Sequence, residues 1–226
     1  MEYKDAWDLQ NIIVAAIKNK VIQDNVILFL EHPPVFTLGR RGGSENLMVS
    51  QDFLGKKGVP VIQVERGGNI TFHGPGQLIV YPIIDLRVAR LSVEDYVEKL
   101  EEIMIRTAGD WGIMANRNPI NRGVWVGNNK LGSIGIAIRR GICFHGIAFN
   151  VNVSLEPFGW INPCGLHGIG ITSMEQELSR EICIDHVRTA LKHHMEEVLG
   201  IKLFPVSLSE LYGLLKNPSL EKNVSE

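Results

Sequence analysis

Between Lys130 and Ile138 the chain alternates small and branched residues with a period of two. Ser133, Gly135 and Ala137 share one parity, and Ile134, Ile136 and Ile138 share the other. Only an extended strand places residues two apart on one face. The stretch therefore predicts a β-strand with one bulky and one small face. The turn Gly127-Asn128-Asn129, preceded by Val124-Trp125-Val126, makes it the second arm of a hairpin. Phe144 to Val153 reads as the next strand, with Gly146 and Ala148 on a single parity. Small faces on neighbouring strands leave room for a ligand or for a closely packed element, and the pattern alone permits both.

The rest of the chain mixes strands and helices without regular βαβ alternation. Leu9, Ile12, Ile13, Ala16 and Ile17 recur at helical spacing within residues 6–20. Val26 to Leu30 is an apolar run that predicts a buried strand, stopped at Pro33-Pro34. Residues 35–38, 60–65 and 78–84 read as extended. Ser92 with Asp95 predicts a capping box ahead of a helix with Tyr96, Leu100, Ile103 and Met104 on one stripe. Ser179 is expected to cap a long helix to Leu199, with Ile184, Val187, Leu191, Met195 and Val198 inward. These elements predict an α+β fold, a mixed or antiparallel sheet with flanking helices. Residues 1–216 are expected to form a single domain, and the polar residues 217–226 a flexible tail.

Of the 226 residues, 45% are apolar, ample for a core, and the net charge of −2 argues against a general nucleic-acid binder. The basic pairs Arg40-Arg41, Lys56-Lys57 and Arg139-Arg140 are solvated surface charge or contacts for an acidic protein. Cys143, Cys164 and Cys183 have the spacing of neither a disulfide framework nor a zinc site. Reduced thiols and a cytoplasmic location are the natural expectation. The N-terminus does not read as a targeting peptide, and no apolar run approaches the roughly 18 residues of a membrane span.

Cys164, between Pro163 and Gly165, is placed on a tight irregular loop. A lone cysteine is more often a small buried residue than a nucleophile. With a reference pKa of about 8.5 it needs a cation or base to become a thiolate. Lys130 is the candidate, as an ammonium stabilising the thiolate or as an amine taking up its proton. His73 is read as a substrate contact or a site-shaping residue, and His145 as structural. Arg66-Gly67-Gly68 brings backbone N–H groups within reach of a carbonyl, or forms a simple turn. There is no Walker-type segment. His193 and His194 are adjacent on a helix and diverge, so no metal is expected.

Several blocks together resemble the lipoyl(octanoyl) transferase family. They are Glu31 to Gly39, Arg66 to Gln77, Lys130 to Gly135, Phe144 to Asn152 and Ile161 to Gly165, in the family's order. The resemblance implies a fold like that of biotin and lipoate protein ligases. It implies transfer of an octanoyl group from octanoyl-acyl carrier protein to a lysine of a lipoyl domain, with no cofactor and no ATP. The acceptors implied are lipoyl domains of 2-oxoacid dehydrogenase complexes and the glycine cleavage H protein. Cys164 matches the thioester nucleophile and Lys130 its partner. Arg66, Gly67, Gly68, Asn69, Ile70, Thr71, Phe72, His73, Ser133, Ile134, Gly135, Gly146, Ile147 and Ala148 match the substrate-binding segments. Arg40, Arg41, Arg139 and Arg140 are the expected docking surface for acidic protein substrates. The alternatives are an ATP-dependent lipoate or biotin ligase, amidotransfer between lipoyl-type proteins, and a non-catalytic acyl-binding module.

Overall fold

The computed structural model describes residues 1–119, 121–162 and 170–216. Two sheets carry the fold. The larger contains β1 (Val26–Leu30), β5 (Gln77–Asp85), β9 (Ile142–Asn150), β8 (Asn129–Arg139), β7 (Val124–Val126) and β6 (Asn116–Arg117) in that spatial order. The short β10 (Gly170–Ile171) adds to β8 in parallel, and the other pairings of this sheet are antiparallel. The smaller sheet places β2 (Val35–Leu38) between β3 (Val61–Gln63) and β4 (Ile70–His73).

Every residue of β5 is buried, because helices cover both faces of the larger sheet. On one face, Leu78, Val80, Ile147 and Phe149 pack with Leu100, Ile103 and Met104 of α3 (Val93–Gly109) and Leu191 and Met195 of α5 (Ile184–Leu199). On the other, Ile79, Tyr81, Ile83 and Phe144 meet Leu9 and Ile13 of α1 (Tyr3–Lys18) and Leu211 and Leu215 of α6 (Leu208–Leu215). Each large apolar side chain removed from water in these layers is worth roughly 1.5–3 kcal/mol before cavity costs. The smaller sheet has its own core, in which Phe36, Ile70 and Phe72 pack with Leu54 of α2 (Gln51–Lys57) and with Phe158.

Three local expectations change. Val26–Leu30 is a strand but only half-buried, because it is an edge whose ladder partner is β5. Ser179 caps no helix N-terminus: it follows the short α4 (Met174–Leu178) in a left-handed conformation, φ 52°, and Cys183 precedes α5. Ser92 does cap α3, but Asp95 reaches back to the Ser92 hydroxyl at 2.6 Å. The reciprocal capping box stands instead at Ser207 and Glu210, before α6. Neither α2 nor α6 is legible as an apolar stripe. Each is short, and together they leave only Leu54, Leu211 and Leu215 buried.

The register joins the small faces read from the sequence. Ser133 pairs with Ala148, and Gly135 with Gly146, across β8 and β9. The β3–β4 connection crosses over these strands, where Gly67 N–H donates to Ile136 O at 2.8 Å. On the far side of β9, the β5 ladder lapses between Val80–Ile147 and Ile84–Cys143. Pro82 has no N–H to give there, and His145 sits at φ 55°.

Candidate active site

A cavity of about 670 Å³ lies between the two sheets. Lys130, Arg66, Gly67, Gly68, Asn69, Ile70, Thr71, His73, Ser133, Ile134, Gly135, Gly146, Ile147 and Ala148 all line it. Phe72 does not: it packs into the core of the smaller sheet, 5.2 Å from the Phe36 ring and 5.5 Å from Phe158. Cys164 and residues 163–169 lie outside the described residues, as do residues 217–226.

The glycine-rich wall is built by crossing backbones. Gly39 N–H donates to Asn69 O at 3.2 Å, and Arg41 N–H to Gly68 O at 3.1 Å. A Cβ on Gly39 would lie 2.5 Å from Gly68 O and 2.9 Å from Arg66 O, so no larger residue fits this crossing. Gly68 turns at φ 88°, which L side chains rarely adopt. The Arg66 side chain runs inward and is buried. Its guanidinium donates to Thr37 O at 2.6 Å, to Thr37 Oγ1 at 2.8 Å and to Gly67 O at 3.0 Å.

A chain of buried hydrogen bonds continues from Thr37. Its hydroxyl meets His73 Nε2 at 3.3 Å, and His73 Nδ1 meets Gln77 Oε1 at 2.8 Å. Because the Gln77 carbonyl oxygen only accepts, His73 donates from Nδ1 and accepts at Nε2. Gln77 Nε2 then donates to Asn150 Oδ1 at 2.9 Å, and Asn150 Nδ2 to Thr172 O at 2.9 Å. Thr172 N–H closes the path on Lys130 O at 3.0 Å. Burial holds the His73 imidazole well below its ordinary pKa, helped by His32 and Arg66, so it works here as a neutral hydrogen-bonding ring. Burial also lowers the His145 imidazole, whose backbone N–H donates to Gln10 Oε1 at 2.7 Å.

Lys130 stands near the start of β8, half-buried, opposite Trp125 of β7. Its Nζ donates to Asn121 Oδ1 at 2.8 Å and lies 5.2 Å from the Trp125 ring centroid. Pairing of β9 with β8 begins at Gly132, and β10 takes up Asn129 and Lys130. The described chain therefore resumes after residue 169 directly beside Lys130.

Arg40, Arg41, Arg66, Arg122 and Lys130 line this cavity, and among its described lining residues there is no carboxylate. Ile134, Ile136 and Ile147 supply apolar wall. Arg139 and Arg140 are elsewhere: Arg139 pairs with Glu65 at 3.2 Å, and Arg140 occupies the β8–β9 turn at φ 52°. Tyr3, Tyr81 and Asn121 line the site and Thr37 holds Arg66 in it, yet none stands out in the sequence. Thr37 lies within the Glu31–Gly39 block without a distinguishing neighbour, and the other three are ordinary polar residues outside the resembling blocks.

The sequence profile described as the lipoyl protein ligase A/B catalytic domain matches residues 2–196. The octanoyltransferase of Desulfotalea psychrophila is 46% identical over 200 residues, which cover 88% of this chain and 90% of that protein. The octanoyltransferase of Caldicellulosiruptor bescii is 44% identical over 218 residues, covering 96% and 95%. In fold, the chain matches a lipoate-protein ligase A bound with ATP at a TM-score of 0.72, with 17% identity, covering 92% of this chain and 88% of that one. With its sheets, helices and cavity built as above, this chain belongs to the lipoyl protein ligase A/B catalytic domain family, alongside the octanoyltransferases.

Proposed function

We propose that this chain is an octanoyltransferase: it moves an octanoyl group from octanoyl-acyl carrier protein to a lysine of a lipoyl domain, through a thioester on Cys164. The carrying observation is identity of 46% and 44%, over nearly full length, with octanoyltransferases. The site is compatible with it. A cavity of about 670 Å³ is within the roughly 300–1,000 Å³ of small-molecule sites. Its apolar wall suits an alkyl chain, and its arginines suit acidic protein substrates.

The chemistry balances without ATP. The Cys164 thiolate attacks the carrier thioester carbon, a new C–S bond forms, and the carrier sulfur leaves with a proton from the Lys130 ammonium. The acceptor lysine amine then attacks the enzyme thioester and an amide bond forms. Cys164 leaves as thiolate, and the Lys130 amine takes the proton lost by the attacking nitrogen. Exchange of one thioester for another is nearly isoenergetic, and amide formation is downhill. Lipoyl domains of 2-oxoacid dehydrogenase complexes and the glycine cleavage H protein are the acceptors in this reading. Arg40 and Arg41 line the cavity and are the better docking candidates, whereas Arg139 is engaged by Glu65.

The test is intact-protein mass spectrometry after mixing with octanoyl-acyl carrier protein. A hydroxylamine-labile octanoyl adduct is expected in the wild type, absent from Cys164→Ala and slow to form in Lys130→Ala. No adduct in the wild type, with transfer supported instead by octanoate and ATP, would replace this reading with an adenylating ligase.

A further inference from the structure

The loop between β6 and β7 converges on Lys130. Asn121 Oδ1 accepts from Lys130 Nζ at 2.8 Å. Asn121 is itself fixed through its backbone, where its N–H donates to Asn118 Oδ1 at 3.2 Å and its carbonyl accepts from Trp125 Nε1 at 3.0 Å. Gly123 lets the loop close at φ 124°, where a Cβ would meet Lys130 Cε at 2.7 Å. Behind the loop stands Glu101 of α3, fully buried. Its carboxylate takes the Gly123 N–H at 2.9 Å and faces Arg122 at 3.4 Å and Arg117 at 3.5 Å.

We infer that Asn121 is a positioning residue for acyl transfer: it anchors the Lys130 nitrogen through both of its protonation states. The inference rests on the reading of Lys130 as the proton-transferring partner of Cys164. A lysine that gives up a proton and regains it within one turnover needs an anchor that survives the change of charge. The face of Trp125 attracts the ammonium and not the amine. An amide oxygen accepts one N–H from either form. With that hydrogen committed, the nitrogen turns only about the N–H···O axis, which confines its other substituents, including the amine lone pair, to a cone. A carboxylate in the same place would also accept, but it would favour the charged form. Glu101 acts one layer further out, by fixing the loop that presents Asn121.

The experiment is single-turnover kinetics of the two half-reactions against pH. It compares wild type, Asn121→Ala, Asn121→Asp and Lys130→Ala, with octanoyl-acyl carrier protein as donor and a lipoyl domain as acceptor. Asn121→Ala is expected to slow both steps about 10- to 100-fold, with the donor KM changed by less than about 2-fold. Asn121→Asp keeps the shape but holds the ammonium, so its second step, which needs the amine, is expected to shift to higher pH. Thermal unfolding of each variant accompanies the kinetics. Asn121 variants within about 2-fold of wild type at every pH, beside a strongly slowed Lys130→Ala, would overturn the inference and leave the reading of Lys130 intact. So would a slow Asn121→Ala whose Asp counterpart keeps the wild-type pH profile, because that pattern marks a purely structural loop residue. Wild-type rates in Lys130→Ala would instead remove the parent reading.

Discussion

Arg66 occupies the space that a side chain at Gly135 would need. A Cβ on Gly135 would lie 3.0 Å from Arg66 Cδ and 3.3 Å from Gly67 O. The arginine has little freedom to retreat, because Thr37 holds its guanidinium at 2.6 and 2.8 Å. Gly135→Ala is therefore expected to cost about 1–3 kcal/mol by overpacking and to raise the donor KM by displacing the wall. Chemical unfolding with steady-state kinetics would show it, and a variant unchanged in both would mean that Arg66 has more slack than its bonds suggest.

Gly146 is constrained by backbone instead. Its Cβ would collide with Val80 O and lie 2.7 Å from Pro82 Cδ, both on β5. Strands buried at the centre of a sheet cannot separate locally to make room. Gly146→Ala is expected to be more destabilising than Gly135→Ala, by over about 3 kcal/mol. The comparison is made on paired urea unfolding curves, and the reverse order would contradict the packing account.

Asn150 joins the His73–Gln77 pair to the backbone beside Lys130. Asn150→Leu takes the donor away from the Thr172 carbonyl and leaves Gln77 Nε2 only its longer bond to Phe72 O at 3.4 Å, at about 1–3 kcal/mol for each buried group left unsatisfied. Gln77→Leu removes part of the same network, so the double variant is expected to lose less than the sum. A double-mutant cycle giving strict additivity, within about 0.5 kcal/mol, would show that the network is not coupled.

His32 makes stability depend on pH. Burial lowers its pKa from 6.5 to about 4, the nearby N-terminal charge adds to that, and a hydrogen bond to Met1 O partly opposes it. The unfolded chain takes a proton near pH 6.5 and the folded chain only near pH 4, so stability is complete above 6.5 and falls as pH drops between them. At about 1.4 kcal/mol per pH unit, His32 alone accounts for about 2 kcal/mol between pH 6.5 and 5. His73 and His145 shift in the same direction. Urea unfolding at the two pH values measures the loss, and His32→Gln should reduce it by the His32 share. An unaltered slope in that variant would assign the effect elsewhere.

The alternation in β8 and β9 and the stripes of α1, α3 and α5 are legible in the order of residues, because burial on one face writes a period into the chain. The glycine-rich segments are legible for a related reason: backbone crossings as tight as that of Gly39 over Gly68 tolerate only glycine. The short helices α2 and α6 are not, since few of their residues are buried.

Local sterics and residue order suffice to say which strand faces are small, which segments need glycine and which family the chain resembles. What fills the small faces is a matter of packing: Arg66 lies over Gly135, and the β5 backbone lies against Gly146. Packing also turns Phe72 away from the cavity, leaves the edge of β1 half-exposed and brings Asn121 and Glu101 behind Lys130. Those contacts join residues far apart along the chain and depend on register and on the stacking of elements, which no periodicity within one segment encodes.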